Sequence, residues 1–457
     1  MRQTATTTWP QTQWAAEIRM PAYAGHVVVA LALGWLVRDH IALLVLTAAS
    51  ALSMLMIWRR RSRETFTRWV TGPVLSRYWS SRIHRSWSEV SSSCDLALRG
   101  TPRIRKTSRK WPSIAIVVRP LLGQTCADFE KAAEAIRLAI GASQIRIIPT
   151  GRRDISITFT IGDTLSAPFD APIPESVDHL DRVVMGRQSD GQAWQLSLGP
   201  HTLVAGSSGS GKGSLFWSFV FALAPAVHDG RVQLHGVDLK GGMEILLGED
   251  LFTTRATSAA EAVVSLERLV DIMRERTRWY AGRVRKHRVT AVGPLHVAMI
   301  DELAALTAYC PNRELQRRGA NAINLLCSQG RAPGFMVFAC LQDPRKEVIP
   351  SRGLFTQMVG LRLKDSSETA MVLGETAMLS GAHCHRIGAN APGTGYVIPE
   401  DSSQPIRVRA GFASDESIRD TAQRFASPTH VPIDATPLEV EIAARAAGRT
   451  RPTGGAV

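Results

Sequence analysis

The most informative part of this sequence is 201-HTLVAGSSGSGKGSLFW-217, which predicts its fold. It runs from a short apolar strand through a turn rich in glycine and serine into the beginning of a helix. The turn has the spacing G-x-x-x-x-G-K, in which glycines let successive backbone N–H groups face a polyphosphate and the lysine reaches the β- and γ-phosphates. The helix dipole adds to the same anion site. We therefore predict a nucleotide-binding loop formed by Gly206, Ser207, Ser208, Gly209, Ser210, Gly211, Lys212, Gly213 and Ser214.

The loop departs from the usual pattern directly after its lysine. A serine or threonine normally stands there and holds Mg²⁺ through its hydroxyl. Here the position is Gly213, and Ser214 follows one place later. Two explanations stay open: Ser214 supplies the hydroxyl ligand, or the metal relies more on another carboxylate and on water. A flexible glycine-rich connection is the alternative for such a pattern taken alone.

A second segment, 294-PLHVAMIDEL-303, favours the nucleotide-binding interpretation. Its apolar run predicts a buried parallel strand that carries two carboxylates to the carboxyl edge of a sheet. Asp301 is then placed to hold Mg²⁺, and Glu302 to polarise an attacking water as general base. A strand followed by an acidic helix cap is the alternative.

The N-terminal region, 1–58, contains two apolar runs at 23–37 and 41–58. We predict a transmembrane helical hairpin, although each run is slightly short for a bilayer span. The cluster Arg59-Arg60-Arg61-Ser-Arg63 favours a membrane and a cytoplasmic position for that end. The prediction is a multi-pass protein of the cell membrane, with a buried helical hairpin as the alternative.

The net charge of +14 is concentrated in residues 59–110, where 14 Lys and Arg residues face three Asp and Glu residues. We interpret this segment as a basic juxtamembrane linker. We favour an attraction of this segment to anionic lipid headgroups, and a collar that contacts DNA phosphates without reading their sequence is the alternative.

The remaining sequence predicts an α/β protein. A small α/β domain without a catalytic signal is expected at 111–182, and an ATPase domain with a parallel sheet covered by helices at 183–425. Strands are predicted at 202–205, 232–237, 297–300, 335–341 and 358–363, and a long amphipathic helix at 258–287. The tail, 426–457, is expected to hold one helix at 437–447.

Seven segments, in chain order, resemble the FtsK/SpoIIIE family of DNA translocases. The resemblance covers roughly residues 183–420. Seven matching segments in the same order are far more specific than a phosphate loop alone. The segments are 206-GSSGSGKGS-214, 237-VDLKGG-242, 299-MIDEL-303, 330-GRAPGFMVFACLQDP-344, 361-LRLKDSSETAMVLGE-375, 386-RIGANAPGTGYVI-398 and 407-RVRAGFASDESI-418. The chain looks most like the conjugal transfer (Tra) proteins of actinobacterial plasmids and integrative elements.

This resemblance implies a RecA-like P-loop NTPase fold, the cofactors ATP and Mg²⁺, and a homo-hexameric ring that moves double-stranded DNA. It implies that Gln342 senses the γ-phosphate and that Arg331 is a catalytic arginine finger supplied in trans, with Arg362 as the second choice. The cytoplasmic membrane and other transfer proteins are the further partners that it implies, with the ATPase domain in the cytoplasm.

The function predicted from the sequence is therefore a membrane-anchored, ATP-driven translocase of double-stranded DNA that acts in conjugative transfer. The alternatives are a chromosome-partitioning translocase of the FtsK type, a protein-export ATPase like those of type VII secretion, and an inactive nucleotide-binding scaffold. Only about 40 residues follow Ser414, too few for the winged-helix module that reads DNA sequence in many family members.

Overall fold

The computed structural model describes residues 29, 41–97, 100–345, 352–398 and 404–449. The chain divides into two compact units, Met1–Arg85 with Arg109–Trp111, and Ser86–Ser108 with Pro112–Val457. The helices are α1 Ile41–Arg61, α2 Arg63–Phe66, α3 Gly72–Ser93, α4 Cys126–Lys131, α5 Ala133–Ile140, α6 Lys212–His228, α7 Ala259–Tyr280, α8 Leu303–Thr307, α9 Arg313–Gln329, α10 Ser366–Leu373, α11 Glu375–Leu379, α12 Asp415–Arg424 and α13 Thr436–Arg449.

Helix α1 contains the second of the two predicted membrane segments, 41–58. It ends on Arg59, Arg60 and Arg61, whose charges suit the carboxyl end of a helix dipole. Among the residues whose side chains are described, no helix is both long and apolar enough to cross a membrane. The first predicted segment, 23–37, lies outside the described residues except for Val29.

Within the segment predicted as a basic linker, 59–110, most of the described residues form helices and a strand. They include α2, a π-helical turn at Thr67–Thr71, helix α3 and the strand β1 at Arg103–Lys110. Trp87 on α3 is buried, and its indole Nε1 donates a hydrogen bond to the carbonyl of Pro102 at 2.7 Å.

A four-stranded sheet forms the small α/β part, in the order β1-β2-β4-β3. The other strands of this sheet are β2 Ser113–Arg119, β3 Gln144–Thr150 and β4 Asp154–Thr160, and β2 pairs antiparallel with β4. In β2 every second side chain is buried, as expected when one face of a sheet packs on a core.

The second sheet has ten strands in the described part, in the order β6-β5-β14-β13-β12-β7-β11-β10-β8-β9. Its strands are β5 Arg182–Gln188, β6 Ala193–Ser197, β7 Thr202–Ala205, β8 Val232–Val237, β9 Phe252–Ala256, β10 Leu295–Ile300, β11 Phe335–Leu341, β12 Gln357–Gly360, β13 Thr394–Val397 and β14 Ile406–Ala410.

The predicted parallel sheet is wrong in one respect, because this sheet is mixed. The six strands from β12 to β9 are parallel, and the others continue the sheet with antiparallel pairs. The reason lies in the connections: β5 and β6 are joined by a short turn, and short turns join antiparallel neighbours, whereas parallel strands need a crossover.

Helices cover both faces of the parallel part. Helix α6 is buried on nearly all sides and packs on one face of the sheet. In this core the ring of Phe219 on α6 stacks on that of Phe338 on β11, with the ring centroids 4.5 Å apart. Helices α7 and α9 cover the other face. Helix α7 begins at the capping box of Ser258 and Glu261 but ends at Tyr280, before the predicted end at 287.

Candidate nucleotide-binding site

The predicted loop joins the end of the central strand β7 to the beginning of α6. The Gly206 N–H donates to the Leu341 carbonyl at 3.0 Å, which ties the loop to the end of the neighbouring strand β11. Gly209 and Gly211 have φ angles of 68° and 94°, a backbone region that side chains disfavour. A Cβ at Gly211 would also overlap the backbone of Gly393. Both glycines are therefore required by the path of the chain.

Lys212 lies buried at the first position of α6. Its Nζ donates to the carbonyl of Gly206 at 2.7 Å and to that of Ser207 at 3.2 Å, so the ammonium lies over the concave side of the loop. Burial lowers the pKa of Lys212, and the carboxylates of Glu302 and Asp301 oppose this shift. The positive charge is thus held where an anionic ligand would stabilise it.

Asp301 and Glu302 directly follow β10, whose six residues are all buried. The Lys240 ammonium lies 2.9 Å from Asp301 Oδ2 and 3.8 Å from Glu302 Oε2. Glu302 Oε1 accepts the Gln342 N–H at 3.3 Å, and its buried Oε2 has no hydrogen-bond partner. Burial raises the pKa of Glu302, while the Lys240 charge opposes this effect. A carboxylate with a raised pKa is suited to accept a proton.

Gln342 follows β11 at the same edge of the sheet. Its Oε1 lies 3.3 Å from the Ser208 hydroxyl, which donates to it from the phosphate loop. The structure thus brings together five sequence-predicted side chains, Ser208, Lys212, Asp301, Glu302 and Gln342. Three of them, Ser208, Glu302 and Gln342, line a cleft of about 1060 Å³, whose lining also includes Ser207, Lys240 and Arg362.

Arg331 lies elsewhere. It follows α9 and precedes β11, so it belongs to the amino ends of the strands, whereas the phosphate loop lies at their carboxyl ends. Its neighbour there is His201, which precedes β7: burial first and the charge of Arg331 second lower the pKa of His201 to about 4. Arg331 therefore does not join the site of its own chain.

Arg362, the second choice for a finger in trans, contacts the loop of its own chain. Its Nη2 donates to the Ser208 carbonyl at 2.7 Å, and its carbonyl accepts the Ser207 N–H at 2.8 Å. Sequence reasoning missed this cis position, and it also missed that Lys240 pairs with Asp301. A signal was available for Lys240, which follows the predicted strand 232–237, whereas Arg362 fell within the predicted strand 358–363, which ends earlier, at Gly360.

The residues at this edge fit a nucleotide-bound Mg²⁺. Within the described ranges, no set of three or more His, Cys, Asp or Glu side chains converges to hold a metal by itself. Mg²⁺ at phosphate sites takes one or two carboxylates and completes its shell with phosphate oxygens and water. Asp301, and Glu302 with its unpartnered buried oxygen, provide such carboxylates.

The P-loop ATPase class is defined by a glycine loop with a buried lysine after a central β-strand, here β7, and by two carboxylates at the end of the next strand but one, here β10. The family model described as FtsK/SpoIIIE family matches residues 182–288. Residues 182–288 therefore match the FtsK/SpoIIIE family, which confirms the predicted resemblance to that family.

Curated relatives agree with this assignment. The chain is 29% identical over 267 residues to the DNA translocase FtsK of Mycobacterium tuberculosis (strain H37Rv), which covers 53% of this chain and 31% of the relative. It is 26% identical over 340 residues to that of Listeria monocytogenes, covering 66% of this chain and 42% of the relative. The chain thus spans less than half the length of these relatives.

Two solved structures are similar to the chain. The pCW3 conjugation coupling protein TcpA, in a monomer form with ATPγS, is 18% identical with a TM-score of 0.49, over 76% of this chain and 98% of that one. The cytoplasmic domain of the type VII secretion ATPase EccC of Thermomonospora curvata is 21% identical with a TM-score of 0.44, over 60% of this chain and 34% of that one.

Proposed function

We propose that this protein is an ATP-driven translocase of double-stranded DNA, anchored in the cytoplasmic membrane, that acts in the conjugative transfer of a plasmid or integrative element. The observation that supports this most is the meeting of Lys212, Asp301, Glu302 and Gln342 at one edge of the sheet. The relatives that carry the matching family domain are DNA translocases.

The chemistry follows from the positions of these side chains. Lys212 balances the charge of the β- and γ-phosphates, and Glu302 accepts the proton of the attacking water. Bound Mg²⁺ neutralises charge on the phosphate oxygens, and Asp301 holds it. Gln342, hydrogen-bonded to Ser208 of the loop, is placed to respond to the γ-phosphate. ATP hydrolysis thereby changes contacts at the ends of β10 and β11.

Arg331 can act at an ATP site only in an assembly of subunits, because it lies away from the phosphate loop of its own chain. A head-to-tail contact that closes on itself gives a ring, and such a contact brings different edges of neighbouring subunits together. Arg331, on the edge opposite the loop of its own chain, would then act at the site of the next subunit. A homo-hexamer is the ring that we propose.

Membrane anchoring is supported by the composition of α1. Its side chains Val45, Leu46, Leu52, Met56 and Ile57 are all exposed, although they are large and apolar. Three arginines follow at its carboxyl end, as at the cytoplasmic end of a membrane helix. Other transfer proteins are proposed as further partners at the membrane. Flotation of the full chain with vesicles of anionic lipid tests the anchoring, and recovery only in the bottom fraction would contradict it.

The proposed motor predicts that double-stranded DNA stimulates ATP hydrolysis by the full chain. The measurement is the rate of phosphate release with and without linear duplex, for the wild type and for Lys212→Ala. Lys131→Ala, an exposed lysine on α4 of the small α/β part, is the matched control and is expected to retain stimulation. Hydrolysis without DNA stimulation favours a protein exporter, and no hydrolysis by the wild type favours an inactive scaffold.

A further inference from the structure

Gly213, which replaces the usual metal-binding serine or threonine, lies against a carboxylate from another segment. A Cβ built on Gly213 would lie 2.9 Å from Oε1 and 3.3 Å from Oε2 of Glu244. A side chain at position 213 would therefore compete with Glu244 for the same space. The glycine at position 213 thus both lacks the usual hydroxyl and leaves room for the Glu244 carboxylate.

The segment that carries Glu244 is held in place by Asp238, which is buried at the end of β8. Asp238 Oδ1 accepts the Lys240 N–H at 2.9 Å, and its Oδ2 accepts the Glu244 N–H at 2.7 Å. Between them Gly241 and Gly242 turn the chain with φ angles of 82° and 77°. Ile245, the next residue, is fully buried in the core beneath α6. The two hydrogen bonds of Asp238, the turn at Gly241 and Gly242, and the burial of Ile245 therefore fix the position of Glu244.

The electrostatics around Glu244 favour a cation. The Glu244 carboxylate is partly buried and lies near the carboxylates of Asp301 and Asp238, with the Lys240 ammonium also close to it. Glu302 adds a buried carboxylate oxygen with no hydrogen-bond partner. Glu244 and Asp301 thus lie near each other beside the Lys212 end of α6, with Lys240 as a neighbouring cation. A divalent cation in this place would relieve their mutual repulsion, and oxygen ligands are those that Mg²⁺ prefers.

Ser214 is less well placed to replace the missing hydroxyl. Successive side chains on an α-helix diverge by about 100° around its axis, since the helix has 3.6 residues per turn. A serine at 214 therefore leaves α6 in a different direction from the side chain that position 213 would carry. Glu244, in contrast, approaches position 213 itself.

We propose that the Glu244 carboxylate supplies to the Mg²⁺ of bound ATP the oxygen ligand that a serine or threonine after the loop lysine would otherwise supply. This inference rests on the proposed nucleotide-binding function. It assigns a role to the 237-VDLKGGME-244 segment, in which Asp238 positions Glu244.

The test measures the affinity for ATPγS with Mg²⁺ and with EDTA, without DNA and without turnover. In Glu244→Ala and in the isosteric Glu244→Gln, the gain in affinity that Mg²⁺ produces is expected to fall about 10- to 100-fold, as for loss of a group that supports a metal. The affinity in EDTA is expected to stay the same. Glu249→Ala, an exposed carboxylate on the same segment, is the matched control.

A second variant uses the competition for space. Gly213→Ser alone is expected to weaken Mg²⁺-dependent binding, because its Cβ crowds the Glu244 carboxylate. Gly213→Ser combined with Glu244→Ala removes the crowding and restores a hydroxyl, so the Mg²⁺ dependence is expected to return towards that of the wild type. Recovery of Mg²⁺-dependent binding in the double variant would not occur if the single variants had simply failed to fold.

The inference is overturned if Glu244→Ala and Glu244→Gln keep the full Mg²⁺ dependence, or if Ser214→Ala loses it while the Glu244 variants do not. In both cases wild-type binding of Mg²⁺-ATPγS leaves the proposed function standing. If the wild type binds no ATPγS under either condition, the proposed function fails and the inference fails with it.

Discussion

The surroundings of Glu302 disfavour the ionised form of its carboxylate. It is buried, one of its oxygens lacks a hydrogen-bond partner, and Asp301 stands beside it. These features raise its pKa, with burial as the main cause. The same features that make the carboxylate a good proton acceptor make its ionised form unfavourable in the folded protein.

We predict that Glu302→Gln retains ATPγS binding but lowers the hydrolysis rate by about 10²- to 10⁴-fold, because the general base is lost. A raised pKa means that the folded state favours the protonated form, so ionised Glu302 costs stability above its folded pKa. The variant should therefore melt at a higher temperature than the wild type near neutral pH. This difference should vanish below the ordinary glutamate pKa of about 4.3. Thermal melts at both pH values check this, and a variant with normal turnover would contradict the role.

Individual site residues differ in how far the sequence could predict them. Asp301 and Glu302 were predictable, since they follow an apolar strand without a break and their edge of the sheet follows from its parallel order. Glu244 was not, because its approach to Gly213 depends on how a loop of the next strand folds back in space. The opposite placement of Arg331 and Arg362 follows from which end of a strand each residue adjoins.

At the scale of elements, the phosphate loop depends on close contact between its backbone and the loop before β13. The Gly393 N–H donates to the Ser210 carbonyl at 2.8 Å, and Gly211 leaves no room for a side chain against Gly393. The loop is therefore held on one side by the end of β11 and on the other by the segment that leads into the antiparallel part of the sheet.

We predict that Gly211→Ala reduces both ATPγS affinity and thermal stability. Two costs add: an alanine at positive φ costs about 1 kcal/mol, and its Cβ must displace the Gly393 backbone. Gly282→Ala is the matched control, because its φ is also positive, at 72°, but a Cβ there meets nothing within 4 Å. The control should lose only the smaller amount of stability and no nucleotide affinity. Equal losses in the two variants would show that the contact with Gly393 does not matter.

The elements also show where pattern reasoning succeeds. Strands β8, β10 and β11 lie close to their predicted positions, because buried parallel strands are continuous apolar runs. The antiparallel strands β5, β6, β13 and β14 were not predicted as strands of this sheet. Their side chains are only partly buried, so they lack continuous apolar runs, and their place in the sheet depends on pairing with distant segments, such as Ala410 with Gly186.

At the scale of the whole molecule, the site of a single chain lacks a contribution from Arg331, which lies at the other edge of the sheet. The proposed ring, in which a neighbouring subunit completes each ATP site, accounts for the separation of this arginine from the cleft. The proposal thus depends on assembly, and assembly can be tested by mixing inactive chains.

We predict that Lys212→Ala and Arg331→Ala each abolish DNA-stimulated hydrolysis when alone, and that mixing the two chains restores part of it. A mixed ring contains sites where an intact loop faces an intact arginine, and an arginine finger is worth about 10³- to 10⁵-fold in rate. Arg331→Ala alone should still bind ATPγS. Mixing that restores nothing, while each variant still assembles, would place the action of Arg331 within its own chain or outside catalysis.

The most direct test of the central claim is ATP-driven displacement of a triplex-forming strand from linear duplex DNA by the full chain. We predict that the wild type displaces the third strand in the presence of ATP and Mg²⁺, and that Lys212→Ala does not. Hydrolysis of ATP by the wild type with no displacement, or equal displacement by Lys212→Ala, would contradict it.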